Sequence, residues 1–80
     1  MQLEIITPEK KVFKGEVKQV RLPGTKGSFE ILERHAPIIS TLERGTVRVV
    51  DKQGEKLFFE IEGGVVENSA NKIIVLAETI

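Results

Sequence analysis

Eighty residues carrying twelve basic and twelve acidic side chains, with no net charge, make one small domain, 1–80, that has no basic field to gather phosphates. Cys, Trp and Tyr are absent, which excludes disulfides and thiolate metal sites and leaves only Phe as a stacking platform for bases. No apolar run approaches the roughly 20 residues of a membrane helix, and Met1-Gln2-Leu3-Glu4 lacks the basic start and apolar stretch of a signal peptide, so the expectation is a soluble chain, cytoplasmic or peripheral on the cytoplasmic side of a membrane.

Leu3 and Ile5 alternate with Gln2 and Glu4, which predicts a first strand with one buried face. Thr7-Pro8-Glu9-Lys10 turns the chain. From Lys11 to Leu22 the period is again two, but its phase slips: Phe13 and Val17 share one face, Val20 and Leu22 the other. A one-residue slip carries every side chain across the sheet, so a bulge or bend is expected near Gln19, or else two strands at an angle. The Lys/Glu alternation from Lys10 to Lys18 reads as a solvated face that blunts edge pairing.

Leu22 to Ile39 is the longest run without a clear strand rhythm. Pro23-Gly24 signals a turn, and Gly27 a second bend. Pro37 holds Ala36 extended, so a helix begun at Phe29 would have stopped there. Between the prolines stand Phe29, Ile31, Leu32 and the single His, His35. Loops lie on the surface and carry polar residues. An apolar one must fold back over the core or meet a partner.

Ile38 to Arg44 fits either a short helix opened by Pro37 and closed by Gly45 or a short strand Ile38–Leu42. Thr46 to Val50 is a strand, Asp51-Lys52-Gln53-Gly54 a hairpin loop, and Leu57 to Ile61 the returning strand with Leu57, Phe59 and Ile61 inward. Gly63-Gly64 marks a bend or a close approach of backbones. Val65-Val66-Glu67 and Ile73 to Ala77 form a last hairpin whose final strand is apolar on both faces, the pattern of a strand covered on each side. Short strands with turn signals every eight to twelve residues predict an all-β sandwich or barrel.

Little here suggests chemistry. A nucleophilic triad on His35 needs Ser28, Ser40 or Ser69 beside it, and nothing in the spacing puts one there. Gly-Thr-Lys-Gly lacks the ending of a phosphate loop, and one His with no Cys is a poor metal set. No catalytic, cofactor or metal residue is assigned. Two other readings stay open: a small β-barrel binder of oligonucleotides or sugars, disfavoured by zero charge and few aromatics, and a β domain with an unrelated protein partner.

Several segments together carry a resemblance. Leu3-Glu4-Ile5-Ile6-Thr7-Pro8-Glu9, Val12-Phe13-Lys14-Gly15, Pro23-Gly24 with Gly27, His35-Ala36-Pro37-Ile38, Gly63-Gly64-Val65-Val66-Glu67 and Val75-Leu76-Ala77 are collinear with the N-terminal domain of the epsilon subunit of F-type ATP synthases. The resemblance implies a ten-stranded β-sandwich, with a strand at Ile38–Leu42. It implies a non-catalytic rotor subunit on the cytoplasmic face of a bacterial inner membrane, docked on gamma and the c-ring. Contact with gamma is expected at His35, Ala36, Pro37 and Ile38, with Gly63, Gly64 and Val65 close by. Contact with the ring is expected at Ser28, Phe29, Glu30 and Ile31, and Phe29 and Ile38 are the expected anchors. Epsilon subunits commonly continue into a pair of helices that bind ATP; the present sequence stops at Ile80, and no nucleotide site is assigned to it. Family members often have an acidic residue where Ser28 stands, so a charge contact to the ring would pass to Glu30 or Glu33.

Overall fold

Alternation decides which side of each strand is dry. In the computed structural model, which describes residues 1–78, β1 (Gln2–Ile6) turns Leu3 and Ile5 fully inward. Thr79 and Ile80, the end of the expected 1–80 domain, lie outside the described residues. The turn at Thr7 is closed twice on the Lys10 carbonyl, by the Thr7 amide at 2.9 Å and its Oγ1 at 3.2 Å.

β2 (Lys11–Leu22) is one bent strand of twelve residues that serves two sheets. Its first half pairs with β1. Its second half pairs with β3 (Phe29–Leu32) on one side and β5 (Gly45–Asp51) on the other. Against β5 the ladder passes from Val17–Asp51 to Gln19–Val50, leaving Lys18 as the extra residue of a bulge. This is the phase slip expected near Gln19, one position earlier. The bulge resets the alternation, and Val17, Val20 and Leu22 all reach the core. Eight strands stand among the described residues where ten were expected; the class is all-β, as read from the sequence.

The remaining strands are β4 (Ile38–Leu42), β6 (Lys56–Ile61), β7 (Gly64–Ser69) and β8 (Lys72–Ala77). The order is β4-β7-β8-β1-β2-β5-β6, with β3 on β2. β1 and β8 run parallel and the other pairs antiparallel. The sheet curls at the β2 bend, and its inner face holds Leu3, Ile5, Leu22, Ile31, Ile61 and Ile73, all but sealed from solvent. Phe13 and Phe59 close the flank with ring centroids 5.7 Å apart.

Ile38–Leu42 is a strand because β7 supplies it a ladder, Ile38 facing Asn68 and Leu42 facing Gly64. The turn expected at Pro23-Gly24 sits further along. Gly27 N donates to Gly24 O at 3.0 Å, while Pro23 O accepts from Glu43 N at 2.8 Å. Pro23 and Gly24 therefore extend alongside β4, where Gly24 bridges Leu42. The last hairpin turns on Ala70 and Asn71 at φ 52 and 62, the left-handed pair of a tight two-residue loop.

Candidate docking surface

The outer face of the sheet half containing β4, β7, β8 and β1 is largely uncovered. Register places Thr41, Val65, Leu76 and Ile6 side by side across four strands. The next row is Ile39, Glu67, Ile74 and Glu4. Ile39 is 73% exposed and Leu76 54%. Beyond Leu76 the band ends in a shallow cavity of about 250 Å³ lined by Ile6, Thr7, Pro8, Leu76 and Ala77. A solvated strand face normally alternates to polar residues, and a contiguous apolar band rimmed by charge marks an interaction site. Here the rim is ionic: Glu4 pairs with Lys11 at 3.5 Å and with Lys72 at 3.8 Å.

At the β4 entrance the chain forms a fixed rim from Glu33 to Pro37. Arg34 adopts φ 63, and its amide donates to Asn71 Oδ1 at 3.1 Å. His35 N donates to Leu32 O at 3.1 Å. Asn68, 2% exposed, donates Nδ2 to the carbonyls of both His35 and Ala36, each at 3.3 Å. Beside the rim lies a groove of about 430 Å³ lined by Pro37, Ile38, Ile39, Glu67, Asn68 and Ser69.

Glu33 ties the base of this rim. Its carboxylate accepts from the Met1 ammonium at 2.6 Å, Asn71 Nδ2 at 3.0 Å and Lys52 Nζ at 3.1 Å. These three donors, the ammonium foremost, then Asn71 and Lys52, lower its pKa from 4.5 to about 2. A carboxylate whose pKa is depressed on folding stabilises the fold fully above its ordinary value, and that contribution disappears as pH falls toward the folded value. Glu33→Gln should therefore lower the urea midpoint near neutrality, and the gap to the unchanged chain should close between about pH 4.5 and about pH 2. A gap that stays constant across that window contradicts the assignment.

The residues expected to meet partners do not form one cluster. His35, Ala36 and Pro37 stand at one end of the β4–β7 ladder; Gly63 and Gly64 stand at the other, across from Leu42. Four residue steps separate the ends, about 13 Å. Ser28, Phe29 and Glu30 share the Gly64 end, because Phe29 faces Leu22 and Gly24 bridges Leu42. Ile31 is corrected: opposite Val20 in the ladder, it is fully buried and cannot touch a partner. Gly63 is likewise buried, its carbonyl bound to the Glu78 amide at 3.0 Å. Phe29 and Ile38 are half-buried against the core, which makes them supports of the fold more than exposed anchors. Glu30 is engaged with Arg48 at 3.4 Å and Glu33 with the Met1 ammonium, so both candidate carboxylates for a ring contact already have cationic partners. The only hydrogen bond His35 makes through its ring, among the described residues, is to Ala36 O, and no serine stands within hydrogen-bond reach.

The model of the ATP synthase delta/epsilon chain β-sandwich domain matches residues 1–80. The chain belongs to that family. It is 43% identical over 79 residues to the ATP synthase epsilon chain of Chlorobium limicola, covering 99% of this chain and 90% of that one. It is 40% identical over 78 residues to the epsilon chain of Protochlamydia amoebophila, covering 98% of this chain but only 53% of the relative. Solved structures with the same fold include a chain of the Euglena gracilis mitochondrial ATP synthase, OSCP/F1/c-ring (TM-score 0.87, 21% identity, 94% of this chain and 48% of that one). A chain of the Tetrahymena thermophila mitochondrial ATP synthase central stalk/c-ring also shares it (TM-score 0.81, 15% identity, 98% and 63%).

Within this delta/epsilon sandwich, the exposed Ile39 and Leu76 and the half-buried Ile6 were not among the expected contacts. A signal for Leu76 existed: the last strand is apolar on both faces, and only its inner one, Ile73, Val75 and Ala77, meets the core. Ile39 carries no such signal, since Pro37-Ile38-Ile39 does not state which isoleucine turns inward.

Proposed function

We propose that this epsilon-type chain is a non-catalytic central-stalk subunit of an F-type ATP synthase, a single sandwich domain, 1–80, that docks on gamma and on the c-ring and helps couple proton flow to rotation. Its place would be the cytoplasmic face of a bacterial inner membrane, as part of the complex; no described helix is long and apolar enough to cross one. The observation that carries this reading is the exposed pair Val65 and Leu76, continued by the half-buried Ile6, with the exposed Ile39 beside it, in a chain of this family. A standard interface takes ~800 Å² per partner, about a sixth of the 4768 Å² surface.

Two ends suit two partners. The rim His35, Ala36, Pro37 and the outward residues Ile39 and Val65 form the gamma side. Ser28, Phe29 and Glu30, at the opposite end of the β4 ladder, face the ring. Gly63 and Gly64 act through close backbone packing beside that end. The role is mechanical: a stiff sandwich passes torque through packed contacts, with no bond made or broken on it.

Co-purification tests this. The folded chain should retain gamma, and gamma-bound chain should retain c-ring. Failure to hold gamma while the chain remains folded overturns the reading.

A further inference from the structure

The ring of His35 is oriented by its own neighbour. Nδ1 lies 2.7 Å from the Ala36 carbonyl, and a carbonyl oxygen only accepts, so Nδ1 must carry the proton. The same carbonyl takes a second donor, Asn68 Nδ2. Asn68 is almost wholly enclosed, and among the described residues its Oδ1 has no partner, so its amide serves the rim and nothing else. The imidazole is thus anchored by one edge while His35 itself stays exposed. Among the described residues Nε2 makes no hydrogen bond.

In a neutral imidazole one nitrogen donates and the other accepts. With Nδ1–H committed to Ala36, Nε2 is the acceptor, on an exposed side chain two positions before Pro37, which lines the groove with Ile38, Ile39 and Glu67. We propose that His35 docks as the neutral Nδ1–H tautomer, so that the partner group meeting it is a hydrogen-bond donor: a hydroxyl, an amide N–H or a cationic side chain. The inference rests on the docking reading above and supplies the chemistry of one contact within it. Asn68 is a positioning residue in this scheme, holding the carbonyl that fixes the ring.

Two substitutions separate the nitrogens. His35→Asn retains a donor near Nδ1 but places nothing at Nε2. His35→Gln reaches the Nε2 position with an amide oxygen. Titration of gamma with each full chain should show His35→Asn weaker by about 10-fold and His35→Gln within about threefold of the unchanged chain. Full affinity in His35→Asn, or a loss in His35→Gln as large as in His35→Asn, overturns the proposal. Long-range 15N–1H correlation on the free chain reads the tautomer directly. The Nδ1–H pattern is expected, and the Nε2–H pattern contradicts it. If the unchanged chain does not bind gamma, the docking reading fails, and the spectrum still decides the tautomer.

Discussion

Ile39→Asp and Leu76→Asp are each expected to weaken binding to gamma by about 2 kcal/mol or more, roughly thirtyfold, with the domain still folded. Both side chains stand more than half exposed on outward strand positions, so removing them takes little from the core. Surface substitutions of this kind stay within about 0.5 kcal/mol of the parent stability when they touch no core contact. At an interface the same change buries an unpaired carboxylate against an apolar partner, and the desolvation cost is large. Phe58→Asp supplies the control. Phe58 is 61% exposed on the opposite outer face, beside Arg48 of β5. It should leave gamma affinity unchanged. Calorimetric titration of the three variants, with urea melts to confirm folding, checks the expectation. Equal affinity in all three, or a loss confined to Phe58→Asp, places the partner elsewhere.

Gly64→Ala is expected to cost about 3 kcal/mol or more, a large share of the roughly 4–12 kcal/mol that holds a domain of this size together. Gly64 has φ +152, and a Cβ built there would lie 2.2 Å from Leu76 O and 3.0 Å from Ala77 Cα. Both neighbours are backbone in the adjacent strand, so no rotamer change relieves the clash. Gly27→Ala isolates the conformational part. Gly27 has φ +121 with nothing within 4 Å of the added carbon, and only backbone strain of about 1–2 kcal/mol follows. Urea denaturation of the two variants should therefore rank Gly64→Ala well below Gly27→Ala. Equal losses would show that the β7–β8 approach is looser than it stands.

What was legible in the sequence was whatever depends on neighbours in sequence. Leu3 and Ile5, Leu57, Phe59 and Ile61, and Ile73, Val75 and Ala77 point inward as alternation requires. The slip between Val17 and Val20 announced the bulge at Lys18. Gly63-Gly64 announced the close backbone contact. What failed depended on register. Ile31 looked like an exposed loop residue until β2 placed it across from Val20. Pro23-Gly24 looked like a turn, but the edge of β4 holds it extended. Glu33 draws its partners from Met1, Lys52 and Asn71, nineteen to thirty-eight positions away, and no local pattern could name them. Asn68 falls between the two strands expected for the last hairpin, Val65–Glu67 and Ile73–Ala77, whereas β7 extends through it and carries it inward beneath the rim.

The most direct test of docking through the β4–β7–β8–β1 face is hydroxyl-radical footprinting of the full chain, free and bound to gamma. The account predicts that Ile39 and Leu76 lose reactivity in the complex while Phe58 keeps its own. Protection of Phe58 with Ile39 and Leu76 still reactive would contradict it.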